Sequence, residues 1–498
     1  MLCQNCKRRE ATQNHMAIIN GKPYEYHLCA HCAQEMFGGF EESFAEGVAN
    51  GLFDDPFNGE SVCPACGMPF SEFQRTGLLG CPSCYDVFHE ELLPYIAKIQ
   101  GKTKHVGKGG GVNTAEHETR LELARLQKAM EAALSRGDYI LAERINRQMN
   151  IIRKRNGGLE MADYSYGTVI SSRIRLARNI NGYPFPAKLK SDRQAKEIIR
   201  SVSSAINRVD EFVLKYMDGI SDDEASILVE NRLISPALLD NPTHSAVLIN
   251  ESGDVSIMIN EEDHLREQCI RSGMSIRKAY AEMSAKDSLI ARSLPFAYDE
   301  QLGYLTACPT NLGTGLRASV MLFLPALSLG GLMPDVVKSA RRLGLTVRGA
   351  YGEGSVAEGY TYQVSNEVTL GVTEETVLKL VEQVVSKVVE IEASERERLK
   401  RGEEGLAIKD KCLRAYGTLT NCALMSHGEF DKLCADLKLA ACLGYIKISD
   451  ISAVDELMIK MKPSNLNVLA GRSLSAKERD EYRASYASNR IKSLCQKR

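Results

Sequence analysis

Cysteines dominate the first part of this chain. Eight of the fifteen cysteines lie before residue 85, in four Cys-x-x-Cys pairs that combine into two sets of four. Four thiolates fill the tetrahedral shell of Zn²⁺ and leave no position open for catalysis, so each set predicts a structural zinc site. The predicted ligands are Cys3, Cys6, Cys29 and Cys32 in one set and Cys63, Cys66, Cys81 and Cys84 in the other. The nearby histidines His27, His31 and His89 are expected to be surface residues, because each set already has four cysteines.

Arginines and carboxylates form a second group of residues that could do chemistry. They lie in four segments, SSRIRLARN from residue 171, NEEDHLREQ from 260, CPTNLGTGLRAS from 308 and VRGAYGEGS from 347. Arginine holds phosphate oxygens with paired, charge-assisted hydrogen bonds, so several arginines together could bind ATP phosphates without a Walker loop. The predicted phosphate ligands are Arg173, Arg175, Arg266, Arg317 and Arg348.

The carboxylates suit a cationic acceptor of the phosphoryl group. A guanidinium has a pKa above about 12 and offers no lone pair until a proton leaves. Glu262 and Glu353 could hold a guanidinium, align it with the γ-phosphate and accept its proton. Either glutamate could be the base, and Glu262 is our first choice. Asp263 and Glu261 are expected to support these glutamates.

These residues need elements that position them, and the spacing of apolar residues predicts such elements. Residues 245–250 and 255–260 are typical of two strands joined by a tight turn at 251–253, which predicts an α+β domain on an antiparallel sheet over residues 160–395. On a strand, Arg173 and Arg175 would share one face.

The rest of the chain divides by composition into further segments. Residues 1–100 would hold the two zinc modules, 101–115 a flexible Gly- and Lys-rich linker, 116–156 an α-helical hairpin, and 396–498 an α-helical C-terminal domain. The whole chain is therefore predicted to be multidomain, as its 498 residues also indicate.

Charge and hydropathy exclude several classes of protein. The chain has 62 Lys and Arg against 64 Asp and Glu, a net charge of −2, so no general attraction to nucleic acid or membranes is expected. The start, MLCQNCKRRE, lacks the apolar stretch of a secretory signal, and the longest uncharged run, residues 318–334, is too short for a membrane helix. These features favour a cytoplasmic protein with free thiols and metal ligands in place of disulfides.

The four Arg- and Glu-containing segments resemble the signature motifs of the guanidino-kinase family. The resemblance implies ATP and Mg²⁺ as cofactors, in addition to the Zn²⁺ that the cysteines predict. It implies a position near the nucleotide for His264. It also implies an assisting role for Cys308, whose thiol would lie beside the substrate nitrogen under the influence of neighbouring positive charge.

Within that family, the segments CPTNLGTG and YGEGS resemble the bacterial McsB-type protein arginine kinases. Residues 1–155 are similar to McsA, the zinc-binding activator of those kinases, which carries a UVR-type hairpin. The tail segment RDEYRA, residues 479–484, resembles their phosphoarginine-sensing motif, in which Arg479, Asp480 and Arg483 would hold a phosphorylated guanidinium. The chain would thus join activator and kinase, which usually look like separate proteins.

The resemblance implies an ATP-dependent kinase that phosphorylates exposed arginine side chains of proteins in the bacterial cytoplasm. It further implies a heat-shock repressor and a Clp-type unfoldase as partners, marking of proteins for Clp protease degradation, control of the stress response, and a homo-oligomer, a dimer or higher. Three alternatives stay open: a kinase of a free guanidino metabolite, a zinc and UVR adaptor that reads phosphoarginine without catalysis, and a nucleic-acid repair adaptor. The basic residues of 144–155 support the last alternative.

Overall fold

The computed structural model describes residues 13–19, 22–28, 61–109, 166–208, 210–349 and 358–497, together with five single helical positions between 126 and 145. It divides into two compact units, Met1–His89 and Glu90–Arg498. Several predicted features fall outside the described residues: the first cysteine set, Glu353, residues 110–115, and the hairpin over 116–156 apart from those five positions.

The first unit contains short elements around a small core. Strands β1 (Gln13–Ile19) and β2 (Lys22–Leu28) form an antiparallel hairpin. Helices α1 (Phe70–Thr76) and α2 (Cys84–Val87) follow, and Gly77 ends α1 in the left-handed conformation, at φ 70°, where its amide donates to the Phe73 carbonyl. Phe73 and Phe88 are fully buried, but this core is small enough that a metal would add substantially to its stability.

An antiparallel sheet of eight strands organises the second unit. Its strand order is β11-β12-β10-β3-β7-β6-β5-β4. The strands are β3 (Val169–Arg178), β4 (Phe212–Tyr216), β5 (Ala246–Asn250), β6 (Val255–Ile259), β7 (Leu265–Ser272), β10 (Leu316–Phe323), β11 (Leu345–Gly349) and β12 (Thr361–Asn366), while β8 (Tyr298–Asp299) and β9 (Gly303–Tyr304) form a separate pair. The predicted hairpin is β5 and β6, with Leu248 opposite Ile257, so the α+β prediction on an antiparallel sheet is confirmed.

Helices cover one face of this sheet with the main core between them. Helix α6 (Ile276–Ala291) packs on β3 and β7, and α9 (Glu374–Arg401) packs on β10 and β12. The other helices of this region are α3 (His89–Gln100), α4 (Asp192–Ile206), α5 (Asp222–Glu230), α7 (Pro325–Leu329) and α8 (Met333–Arg342). Apolar residues alternate along the strands toward α6 and α9, and the side chains between them face the opposite side of the sheet.

The C-terminal region is helical, as predicted. It contains α10 (Gly405–Asn421), α11 (His427–Cys442), α12 (Ser452–Lys460), α13 (Pro463–Ala470) and α14 (Ala476–Leu494), with a small pair of strands β13 (Ile446–Ile448) and β14 (Cys495–Lys497). Phe430, Leu437 and Ile491 are fully buried in a second core. Ser475 and Glu478 form a capping box that starts α14.

The structure differs from the expected flexible linker over residues 101–109. These residues lie along the catalytic domain, where the amide of His105 donates to the carbonyl of Gln301 and Lys102 donates to the carbonyl of Gly371. The contacts are made by backbone and charged groups, which an apolar pattern cannot reveal. None of the described helices is both long and apolar enough to cross a membrane.

Candidate active site

The register of the strands brings all five predicted arginines onto one face of the sheet. Arg317 on β10 lies opposite Arg175 on β3, and Arg266 on β7 lies opposite Ala177, two residues further along β3. Residues two apart on a strand share a face, so Arg173 joins them. Arg348 on β11 lies opposite Gln363 of β12, and Gln363 in turn lies opposite Met321 of β10. Arg348 therefore shares this face of the sheet.

Crowding of like charge marks this face as a receptor for an anion. Burial, followed by the charges of Arg232, Arg266 and Arg317, lowers the pKa of Arg173 to about 10. Its guanidinium donates to the Gln363 side chain at 2.8 Å, which holds it in place. A bound polyphosphate would relieve the mutual repulsion of these cations.

A carboxylate holds one of the arginines in place. Arg266 donates to Glu261 at 2.7 Å and lies 3.8 Å from Glu262. Glu261 also accepts a short hydrogen bond from Ser235. The structure thus places Glu261 against Arg266, whereas the sequence predicted that it would support the glutamates.

Glu262 lies at the edge of the arginine face, held by a residue that the sequence reasoning did not single out. Its Oε1 accepts a hydrogen bond from the Asn311 side chain at 2.9 Å, and its side chain is 30% exposed. Asn311 belongs to the CPTNLGTGLRAS segment, so its place in the same motif as the predicted phosphate ligand Arg317 was the available signal. A partly exposed carboxylate with one oriented oxygen suits a group that receives a guanidinium.

Asp263 is fully buried beside Glu262 and organises the backbone behind it. One of its oxygens accepts hydrogen bonds from Asn179 at 2.6 Å and from the amide of Ala307 at 2.7 Å. Burial, and then the charge of Glu262, raise the pKa of Asp263 to about 7. Asn179, also missed from the sequence although it ends the SSRIRLARN segment, additionally accepts from the amide of His264.

Cys308 lies in a negative environment, which corrects one expectation. Its thiol is 3.0 Å from the Thr310 hydroxyl, and burial together with the charge of Glu262 raises its pKa to about 12. Carboxylates, not arginines, dominate its surroundings because NEEDHLREQ packs against the CPTNLG loop. Cys308 is therefore a neutral thiol at physiological pH in this structure.

His264 is built into the backbone of the domain. Its Nδ1 accepts from the amide of Ile180 and its Nε2 donates to the carbonyl of Pro184, each at 3.0 Å. It is 0% exposed, and burial lowers its pKa to about 4. The side chain offers no exposed face to a nucleotide in this arrangement, so its predicted position near the nucleotide is not supported by its contacts.

The tail motif lies on α14, and its three residues play different parts. Arg483 is 1% exposed and donates to the carbonyls of Met461 and Met425 and to Asp480, the last two at 2.7 Å. Asp480 has a side chain that is 38% exposed. Arg479 is half-buried and donates to the carbonyl of Leu474. Arg483 therefore orients Asp480 by a hydrogen bond from the protein interior and does not reach the surface.

In the first unit, the second cysteine set has the geometry of a zinc site. Sulfur atoms of Cys63, Cys66, Cys81 and Cys84 all lie within 4.8 Å of one another. Neighbouring sulfurs are 3.5 to 3.7 Å apart, close to the edge of about 3.8 Å in a tetrahedron with zinc–sulfur bonds of about 2.3 Å. Hydrogen bonding by Cys84 lowers the pKa of Cys81 to about 5, which favours a thiolate. The four residues fit Zn²⁺.

Family models match three parts of the chain. Residues 194–395 match the ATP:guanido phosphotransferase C-terminal catalytic domain, residues 61–107 the McsA central zinc-finger domain, and residues 405–498 the C-terminal domain of protein-arginine kinase McsB. Along the chain, the matches follow one another as zinc-finger domain, catalytic domain and C-terminal domain.

Similar full-length proteins carry one name. The chain is 40% identical over 333 residues to a protein-arginine kinase of Clostridium kluyveri, covering 66% of this chain and 96% of that protein. It is 42% identical over 323 residues to one of Moorella thermoacetica, covering 64% and 92%. Among solved structures, the substrate-free duplicated taurocyamine kinase from Schistosoma mansoni has a TM-score of 0.54 at 20% identity, covering 78% of this chain and 54% of that one, which shows a shared fold.

Proposed function

Because the chain belongs to the protein-arginine kinase family and is a phosphotransferase that acts on arginine, we propose that it transfers the γ-phosphoryl group of ATP to arginine side chains of other proteins. The observation that carries the proposal is the joint placement of five arginines on one sheet face and of Glu262 at its edge.

The arginine face would bind and align the triphosphate. Arg173, Arg175 and Arg317 lie close together across β3 and β10, and Arg266 is held by Glu261. Their positive charges would stabilise the negative charge on the phosphoryl group and on the phosphates next to it during transfer. Mg²⁺, when bound with the nucleotide, would neutralise further phosphate charge.

Glu262 would receive the acceptor. Its Oε1 is oriented by Asn311, so the carboxylate can accept hydrogen bonds from a substrate guanidinium and then one of its protons. The freed nitrogen lone pair forms the bond to the γ-phosphorus as the bond to the bridging oxygen breaks, and ADP leaves with that oxygen. Glu353 would hold the other side of the guanidinium, as the family motif implies. Asp263 and Cys308 would support this group from behind as a buried carboxyl and a neutral thiol.

The zinc-binding segment and the tail would adapt this kinase to proteins. We propose that two structural zinc sites and a UVR-type hairpin over residues 116–156 form an activator fused to the kinase, supported by the match of residues 61–107 to a McsA domain. We also propose that Asp480 and Arg479 bind phosphoarginine, with Arg483 positioning Asp480. Isothermal titration with free phosphoarginine tests this, and unchanged binding by Asp480→Asn would count against it.

The biological role follows from the same resemblance. We propose a cytoplasmic homo-oligomer that marks proteins for Clp protease degradation, acting with a Clp-type unfoldase and a heat-shock repressor in stress control. Loss of repressor phosphorylation in cells that carry Glu262→Gln is the expected result.

The biochemical proposal is tested with the purified chain. It is incubated with ATP, Mg²⁺ and an unstructured protein, or with free arginine, and acid-labile phosphate is located by mass spectrometry. Phosphoarginine on the protein supports the proposal. Phosphorylation of free arginine alone would instead favour the metabolite kinase.

A further inference from the structure

A short segment that begins within the C-terminal end of the zinc-finger match, residues 61–107, contacts the catalytic loop. We call residues 100–109 the strap. At its start, Gln100 is only 2% exposed although it is an amide. Its Nε2 donates to the carbonyl of Pro309 at 2.9 Å, to that of Thr310 at 3.2 Å and to the Thr369 hydroxyl at 3.0 Å. Its Oε1 accepts from the amides of Thr369 and Leu370 at 2.9 and 3.1 Å.

These bonds join two loops beside the proposed active site. Pro309 and Thr310 directly precede Asn311, the residue that donates to Glu262. Thr369 also donates to the carbonyl of Thr310 at 3.0 Å, so Gln100 and Thr369 together hold this turn of the loop. The buried amide of Gln100 lies within hydrogen-bond distance of five groups in two loops, with three acceptors sharing its two N–H hydrogens. It restricts the relative movement of the loops, because any shift leaves buried polar groups unpaired.

The other end of the strap enters a buried group of charges. The Lys108 side chain is 9% exposed, and its Nζ donates to Ser288 at 3.1 Å and lies 3.7 Å from Asp287. Asp287 is paired with Arg178 at 2.8 Å. Glu267 lies in the same group, is 0% exposed, and has no hydrogen-bond partner for either carboxylate oxygen among the described residues.

Lys108 balances this group. Burial and the charge of Asp287 raise the pKa of Glu267 well above its usual range, and Arg178 and Lys108 oppose that rise. Without Lys108 the buried Glu267 carboxyl group would hold its proton more tightly, and the proton uptake would cost folding free energy. The backbone amide of Lys108 donates a bifurcated hydrogen bond to both carboxylate oxygens of Glu374, each at 3.1 Å, at the start of α9. The strap is therefore anchored at Lys108 by both side chain and backbone.

Between the two ends, the strap approaches the domain too closely for a side chain. A Cβ atom at Gly107 would lie 2.8 Å from the Thr314 methyl group and 3.1 Å from Glu374. The Thr314 hydroxyl is bonded to the carbonyl of Thr369, which limits its freedom to move aside. Glycine at this position permits the contact.

We propose that Gln100 is a positioning residue for Glu262, acting through the Pro309–Asn311 turn, and that Lys108 anchors the strap that carries it. The inference rests on the proposed function, because it assigns Glu262 the role of receiving the guanidinium. Neither strap residue touches the phosphate-binding arginines, so the effect is confined to the acceptor side of the reaction.

The first test replaces Gln100 in the full chain with an apolar residue of similar length. Gln100→Met removes the hydrogen bonds, and Gln383→Met, at an exposed position on α9, is the matched control. We expect kcat with a protein substrate to fall about tenfold, while KM for ATP stays within about twofold of wild type. We also expect hydrogen exchange of the Thr369 and Leu370 amides to accelerate about tenfold, a readout that needs no turnover.

The second test removes the anchor without touching the loop. Lys108→Met should lower kcat and the melting temperature, whereas Lys104→Met, an exposed lysine of the same strap, should change neither. Adding Glu267→Gln to Lys108→Met removes the buried carboxyl group that must take up a proton on folding, and should restore most of the melting temperature. Gly107→Val, which introduces steric conflict alone, should reproduce the loss of kcat.

The outcomes separate the two levels of the proposal. A wild-type chain that makes no phosphoarginine refutes the proposed function and this inference with it. Normal wild-type activity with unchanged kcat and unchanged amide exchange in Gln100→Met refutes the inference alone. A rise in KM for ATP at constant kcat would also overturn it, because the contact would then serve the nucleotide.

Discussion

Removing the Asn311 side chain should uncouple Glu262 from its loop while leaving the arginine face intact. The hydrogen bond from Asn311 to Glu262 is 2.9 Å long and has a charged acceptor. Such a bond contributes about 1.5–3 kcal/mol, and the 30% exposure of the Glu262 side chain reduces this to about 1–2 kcal/mol because water can replace the lost donor. At about 1.4 kcal/mol per factor of ten, Asn311→Ala should lower kcat roughly 5- to 30-fold.

The assay is steady-state phosphorylation of an unstructured protein at saturating ATP, with KM for ATP measured separately. Since the arginines that would hold the phosphates are untouched, KM for ATP should change less than about twofold. Asn421→Ala is the control, because Asn421 is an exposed amide at the end of α10 that donates to a backbone carbonyl at 2.8 Å. A kcat within twofold of wild type, or a loss seen entirely in KM, would refute the assignment of Asn311 as the residue that orients Glu262.

Three further predictions concern stability. The pKa of Asp263 is about 7 in the folded state and about 3.9 in the unfolded state, so the folded state holds the extra proton and loses stability as pH rises from 4 through 7. Asp263→Asn should remove this loss, so its stability relative to wild type in urea unfolding should increase by about 1–3 kcal/mol between pH 5 and pH 8. An equal difference in stability at both pH values would contradict the linkage. A zinc chelator should lower the melting temperature of Cys63→Ser less than that of wild type, because this variant has lost one of the two proposed sites, and Cys422→Ser should behave like wild type; a chelator-insensitive wild type would argue against the metal. Arg483→Met should lower the free energy of unfolding by about 2 kcal/mol or more, because two buried carbonyls lose their donor. Arg490→Met, at an exposed position, should leave it unchanged. Equal stability of the two variants would contradict a positioning role for Arg483.

Residue spacing along the chain indicates three local features of this molecule: a cysteine set, an arginine-bearing strand face and a hairpin. Two cysteine pairs 18 residues apart, Cys63 with Cys81 and Cys66 with Cys84, bring their sulfurs within bonding reach of one ion. Alternation placed Arg173 and Arg175 on one strand face. The hairpin of β5 and β6 followed from its apolar runs and its turn.

The contacts that position the site were less accessible to sequence reasoning. Asn179 and Asn311 are ordinary polar residues until the fold sets them against Asp263 and Glu262. Their significance depends on pairs of residues 84 and 49 positions apart, which no local periodicity encodes. The sequence predicts a flexible linker over residues 101–109 of the strap for the same reason, since their bonds use backbone groups and the side chains of Lys102 and Lys108.

Residues with similar side chains also differ in how deeply the fold buries them, which the sequence does not reveal. Within the tail motif, Arg483 is buried against backbone carbonyls while Asp480 is partly exposed, although both carry charges typical of a surface. His264 likewise has both ring nitrogens bonded to the backbone. A charged or aromatic residue type indicates what chemistry is possible, and its hydrogen-bond partners decide whether that chemistry is available.

The central claim, phosphoryl transfer to protein arginine with Glu262 as the receiving carboxylate, is tested most directly by one comparison of acceptors. Label from γ-³²P ATP is followed into an unstructured polypeptide and into the same polypeptide with every arginine replaced by lysine, using the wild-type chain and Glu262→Gln. We expect acid-labile label on the arginine polypeptide with the wild-type chain alone, while both chains still bind ATP. Equal labelling of the lysine polypeptide, or undiminished transfer by Glu262→Gln, would contradict it.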